Sequence, residues 1–223
     1  MSAQATLVPL LATAWLPPVQ WWAHALAAGQ VWIEQHEHYL KRTWRNRTHL
    51  AGPNGRIALS LPLKKGKNEQ MPIRQVRLAA DAAWARRVWK TIHSAYGRAP
   101  WFAHFADEVV QLLPPKEPYL FDYNLRWINV LKQMLQVSFD IHLTTQWMAP
   151  PVTGFRDLRY AMGPKVPLSA DAHFVPKPYP QLFQERYGFL PNLSVLDLLF
   201  CAGPEAGRIL RASIHPNGVQ HLP

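Results

Sequence analysis

The sequence predicts a mixed α/β (α+β) fold: a mainly antiparallel sheet in the N-terminal part, helices packed on it, and a helical C-terminus. Three observations predict it. β-Branched and aromatic residues flank a turn dipeptide in the first 80 residues. Apolar residues spaced by three or four begin at Asp81. Prolines then punctuate residues 150–180 before apolar runs resume.

Leu7 to Leu16 reads as a buried first strand, stopped by Pro17-Pro18. Val19 to Ala28 reads as a short helix, with proline before its first turn and Gly29 closing it. A basic meander follows: Val31-Trp32-Ile33, then His36 to Arg47, a turn at Pro53-Asn54-Gly55, and Arg56 to Leu63. Lys64 to Glu69 is an exposed, charged turn, and Pro72 to Leu78 a further strand. Asp81 can cap a helix carrying Trp84, Val88, Ile92 and Ala95, ended by Gly97. Trp101 to Leu113 and Pro118 to Leu135 are two more helices, and Ser138 to Thr144 a strand. Leu182 to Tyr187 is a short helix, Asn192 or Ser194 caps another to Cys201, and a last helix reaches Leu210. Residues after Ala212 read as a frayed tail.

The whole reads as a single domain, 1–223: a strand-rich basic part (1–80), a helical part (81–136), a Pro-rich loop (150–180) and C-terminal helices (181–211). A structureless loop of that length within a compact domain is usually functional or mobile. Charged residues at 17% against 48% hydrophobic argue for a globular chain. One cysteine excludes an intrachain disulfide framework and points to a reducing compartment. No apolar stretch approaches the roughly 20 residues that span a bilayer, and no basic residue precedes Leu7 to Leu16, so a cytoplasmic protein is expected.

The net charge of +10 is concentrated. Residues 41–98 hold fourteen Lys and Arg against Glu69 and Asp81, a local +12, and the remainder is at −2. An anionic partner is therefore expected there: phosphate, nucleotide, lipid head group or nucleic acid. On a strand, Glu37, Tyr39, Lys41, Arg45 and Arg47 share one face and Asn46 points opposite. A wall with a carboxylate, a phenol and three cations resembles a polar site; the plainer reading is an edge strand that uses Lys and Arg against aggregation. His93 beside Lys90 is a candidate general base, because nearby cations keep an imidazole neutral, or else a helix-surface histidine. Asn124 on an apolar stripe, and Asp197 in an apolar run, need partners. For Asp197 these would be a cap or an internal salt bridge. Glu34, His36 and His38 form too weak a pattern for a metal, and none is expected. Cys201 in Leu198-Leu199-Phe200 reads as buried and structural. Trp44, Trp84, Trp89 and Trp101 near the basic segment raise single-stranded nucleic-acid stacking, which the core-like Trp spacing disfavours.

Glu37-x-Tyr39-x-Lys41 with Arg45-Asn46-Arg47, Ala51-Gly52-x-Asn54-Gly55 and Leu61-Pro62-Leu63 resemble the WbqC-like protein family. So do Trp89 to Tyr96 with Pro100-x-Phe102, Asn124-Leu125, Tyr179-x-Gln181-x-Phe183 and Gly188 to Phe200. The resemblance runs from about residue 8 to 211, with Cys201 where the family usually has Asn. It implies a bacterial protein: members occur among genes for O-antigen and related surface polysaccharides, with transfer of glycine to an amino sugar one suggested activity. Joined to the charge map, it implies an aminoacyl- or acyl-transferase acting on an amino sugar. Its partner would be a phosphorylated small molecule or sugar nucleotide, its donor an aminoacyl or acyl compound such as acyl-CoA. Glu37 or His93 would take the amine proton, and Tyr39 would orient the substrate or stabilise the oxyanion. Lys41, Arg45, Asn46, Arg47 and Lys90 would bind phosphate, and Tyr96 and Asn124 the substrate. The alternative is a non-catalytic anion- or nucleotide-sugar-binding accessory protein.

Overall fold

The structure, a computed structural model, describes residues 7–66 and 68–215. Strand β1 (Val8–Ala12) is a continuous apolar run, and α1 (Val19–Ala28) follows it. Gly29 closes that helix in the left-handed region (φ 68°), donating its N–H to the Leu26 carbonyl. Strand β2 (Gln30–Glu34) then returns beside β1 and parallel to it, Leu10 opposite Trp32. β5 (Asp140–Leu143) adds parallel on the far side of β2, and β6 (Phe155–Asp157) parallel on the free side of β1.

The main sheet is therefore a four-stranded parallel one, ordered β5-β2-β1-β6, where an antiparallel sheet was expected. Among the described residues, antiparallel strand pairing is limited to the hairpin of β3 (Arg47–Gly52) and β4 (Gly55–Ser60) around Pro53-Asn54, beside isolated antiparallel bridges. Parallel strands covered by helices read as apolar runs rather than alternation, and β1 is such a run.

Three further expectations change. The stretch His36 to Arg47, expected to be a strand, forms bends and turns up to Asn46 with a single bridge, His38 to Pro72, and only Arg47 enters a strand. Pro72 to Leu78 holds a 3₁₀ turn at Ile73–Gln75 and isolated bridges from Arg77 and Leu78 in place of a strand. The Pro-rich loop supplies β6 and a 3₁₀ turn at Leu168–Ala170.

Between the hairpin and β5 come α2 (Ala82–Tyr96), α3 (Phe102–Leu112) and α4 (Leu120–Met134). Asp81 caps α2, its side chain accepting from the Trp84 N–H at 2.7 Å. α5 (Gln184–Tyr187), α6 (Val195–Ala202) and α7 (Ala206–Ala212) complete the chain. α6 is buried on every side except at Ala202, touching α1, α3, α7 and β3. After Ala212 the chain is anchored, not frayed: the Ser213 hydroxyl donates to the Ile209 carbonyl, and Ile214 bridges Phe174. The rest of the expected tail, and Lys67 of the charged turn, lie outside the described residues. Among the described residues no helix is long and apolar enough to cross a membrane.

Candidate functional site

The strand order places a reversal at β1. From β1 the chain runs outward to β2 and β5, then returns to lay β6 on the opposite side of β1. In open parallel sheets, ligands bind outside the carboxyl ends of the strands at such a switch. Here that crevice is walled by Ala12, Thr13 and Ala14 after β1, by Leu158, Arg159 and Met162 after β6, and by Trp21, Trp44 and Arg45. It encloses about 10 Å³, room for one water molecule.

Buried charges gather along this edge. Glu34, the last residue of β2, is fully buried and accepts four hydrogen bonds. The His36 N–H (2.8 Å) and Thr144 hydroxyl (2.7 Å) reach Oε1; the Met148 N–H (3.1 Å) and Arg159 Nη1 (3.1 Å) reach Oε2. One carboxylate thus ties together the ends of β2, β5 and β6. Arg159 also forks onto Asp157, Nε at 2.9 Å and Nη2 at 2.6 Å. Burial alone would raise the Asp157 carboxyl, but Arg159 more than offsets it and holds the group below its ordinary value.

A second buried pair sits alongside. Arg45 donates from Nε to Glu37 Oε1 at 2.8 Å and from Nη2 to Oε2. Both residues are inaccessible, and burial raises the Glu37 carboxyl against the pull of Arg45. Tyr160 covers this ground, its ring 6.0 Å from the Arg45 guanidinium and 5.8 Å from that of Arg159. Desolvation and the Glu37 charge raise the Tyr160 phenol.

Of the residues expected to form a site, the fold joins Glu37, Tyr39, Arg45, Asn46 and Asn124, through a loop instead of a strand face. Tyr39 donates to Asn46 Oδ1 at 3.0 Å, and Asn46 donates to the Leu61 carbonyl. Asn124 donates to the Arg45 carbonyl at 2.8 Å, while its own buried Oδ1 has no hydrogen-bond partner among the described residues. Arg47 opens β3 and acts on Tyr39 through its charge. Lys41 points outward to Glu69 (2.8 Å). Tyr96 is fully buried, donating to Asp197 Oδ1 (2.8 Å) and accepting from the Ala51 N–H (2.9 Å), which leaves it little capacity for a substrate. Lys90 and His93 are exposed on α2, with His93 in a separate groove of about 410 Å³ beside Arg98, Leu182 and Phe183. Among the described residues neither bonds to the Glu37–Arg45 pair. Asp197 meets two tyrosines and a glutamine where a cap or salt bridge was expected. Glu34 is committed to Arg159 while His36 and His38 are exposed, and no metal-holding cluster exists among the described residues. Trp44 and Trp84 are buried in the core and offer no face for stacking.

Sequence reasoning missed Arg159, Trp147 and Tyr160. The available signal was Asp157-x-Arg159-Tyr160 directly after Phe155-Arg156, a charged pair beside an aromatic in a proline-rich stretch.

Another buried network ties α1 to the 171–174 turn. Asp171 accepts from Gln20 Nε2 at 2.8 Å and lies 2.6 Å from His24 Nε2. Burial would raise this carboxyl, yet His24, Gln20 and the His173 N–H lower it to about 2. In the unfolded chain it titrates near 3.8. The stabilisation is thus complete above that pH and is lost as pH falls toward 2, amounting to about 2 kcal/mol. Acid titration of unfolding should show Asp171→Asn with a flatter loss of stability between about pH 4 and 2 than the native chain. Equal slopes would contradict the pairing.

The sequence pattern of the WbqC-like protein family matches residues 13–155. A protein of Mycobacterium tuberculosis described as uncharacterized protein Rv1507c is 28% identical over 198 residues, covering 78% of this chain and 84% of that relative. No solved structure is significantly similar.

Proposed function

The chain belongs to the WbqC-like protein family, and from that premise we propose that it is a transferase placing an aminoacyl or acyl group on the amine of a phosphorylated amino sugar, in bacterial surface-polysaccharide synthesis of the O-antigen type. The reaction would run at the carboxyl edge of the parallel sheet. One observation supports the location: the β1/β6 switch crevice is walled by the buried guanidinium groups of Arg45 and Arg159, and Arg45 is paired with buried Glu37.

In this reaction the amine nitrogen attacks the donor carbonyl. The new C–N bond forms as the donor's thioester C–S or ester C–O bond breaks, and the amine proton passes to a base. The proposal takes Glu37 as that base in preference to His93, because burial makes its carboxylate more basic. Arg45, held by Glu37, would face the anionic group or the developing oxyanion, with Tyr39 and Asn46 fixing the loop that carries it. Asn124 supports the Arg45 backbone. Arg45 and Glu37 are both buried, so substrate entry requires the crevice to open locally around them. Lys41 and Arg47 extend the cationic approach, and the exposed Lys90 adds to the same basic field.

The test is mass-spectrometric detection of product from an amino sugar nucleotide incubated with acetyl-CoA or a glycyl donor. The expected result is a mass gain on the sugar, with Glu37→Gln lowering the rate about a hundredfold or more. A melting curve checks that the variant is folded. Saturable binding with no product would replace the transferase with an anion-binding accessory protein.

A further inference from the structure

Four large apolar or aromatic side chains stand exposed among the described residues, and two of them flank one guanidinium. Trp147 is 41% exposed and Tyr160 48% exposed. Their ring centroids lie 4.6 Å and 5.8 Å from the Arg159 guanidinium carbon. Arg159 itself is buried and clamped by Glu34 and Asp157. Each ring therefore rests against a fixed cation while about half of its surface meets solvent. The supports share an anchor as well. Met148, next to Trp147, donates its N–H to the Glu34 carboxylate that also holds Arg159.

From this geometry we infer that Trp147 and Tyr160 form a stacking platform for a nucleobase, which makes the sugar substrate a nucleotide-linked one. The inference rests on placing the ligand site at the carboxyl edge of the sheet. The chemistry selects among flat ligands. A guanidinium behind an aromatic ring draws on the negative face that would otherwise attract a second cation, so a quaternary ammonium is a poor occupant. The same withdrawal weakens the C–H contacts of a bare sugar ring. A neutral, electron-rich heterocycle gains instead, because offset stacking on an electron-poor ring is favourable. Base stacking on an exposed aromatic is also tolerant of which base is present. Arg74 reaches the same edge through its bond to Gln35 at 2.9 Å, just past β2; its guanidinium is half-exposed, with Asp122 at 3.6 Å, and a phosphate would compete with that loose ion pair.

Isothermal titration with UMP, AMP and glucosamine 1-phosphate tests the assignment. Either nucleotide should bind more tightly than the sugar phosphate. Trp147→Ala and Tyr160→Ala should each weaken nucleotide binding roughly tenfold or more. Trp147→Phe and Tyr160→Phe should keep most of it, and unchanged melting temperatures will show the platform variants folded. Nucleotide binding that ignores both Ala substitutions, or sugar phosphate bound in preference to both nucleotides, would overturn the platform. Transfer onto a lipid-linked amino sugar without nucleotide binding would remove the platform and leave the transferase. Nucleotide binding lost in Trp147→Ala, with no turnover in the native chain, would do the reverse.

Discussion

Replacing Arg159 with Ala is expected to lower stability by about 3–5 kcal/mol, the usual cost of breaking a buried ion pair by removing one partner. At this chain length that lowers the melting temperature by roughly 10 °C. The reason is the arrangement around Glu34. Arg159 brings the only positive charge bonded to that buried carboxylate among the described residues, and it also neutralises Asp157. Without it, Glu34 keeps three neutral donors but loses its buried counter-ion. Arg159→Lys should recover part of the loss, since a single ammonium cannot fork onto Asp157 and reach Glu34 together. Denaturant unfolding monitored by tryptophan fluorescence measures both. A loss under about 1 kcal/mol for the Ala variant would mean the edge is held by something other than this pair.

The second large effect is expected at Asp197, in the first turn of α6. Its Oδ1 accepts from the Tyr96 hydroxyl at 2.8 Å; its Oδ2 accepts from the Tyr179 hydroxyl at 2.6 Å and Gln181 Nε2 at 2.8 Å. Among the described residues no cation is bonded to it, and desolvation raises the carboxyl above its ordinary value despite the three donors. Because the folded value is raised, ionisation opposes folding: this group's stabilisation is full below about pH 3.8 and declines as pH rises. Asp197→Ala strands two phenols and an amide inside the protein, at about 1–3 kcal/mol for each donor left unpaired. Asp197→Asn keeps an acceptor and sheds the buried charge, so it should cost far less. Thermal unfolding at neutral pH distinguishes the two. Equal losses would show that the charge, rather than the hydrogen-bond geometry, sets the strength of this junction.

Helix positions were legible because their signals are local: Asp81 caps α2, Gly29 ends α1, and the prolines at 114 and 115 follow α3. The hairpin at Pro53-Asn54 was legible for the same reason. Strand direction in the main sheet was not. Parallel and antiparallel strands share residue preferences, and β6, at three residues, is too short to show a period. The pairing of β1 with β2 and β6 is decided by how α1 and the distant Pro-rich segment pack. Strand parity put Glu37 and Arg45 on one face, whereas a turn-rich loop closes them into an ion pair. Arg159 was invisible as a hub because Glu34 lies 125 residues away in the chain. Tyr96 and Asp197, 101 residues apart, present the same difficulty.

Amide hydrogen exchange of the native protein, with and without UDP-glucosamine, tests most directly the claim that ligand binds at the carboxyl edge of the parallel sheet. The account predicts slowed exchange in residues 12–16, 144–148 and 157–162, the segments that follow β1, β5 and β6. Slowing confined to residues 90–98 and 182–183, around the His93 groove, would contradict it and move the site to the exposed face of α2.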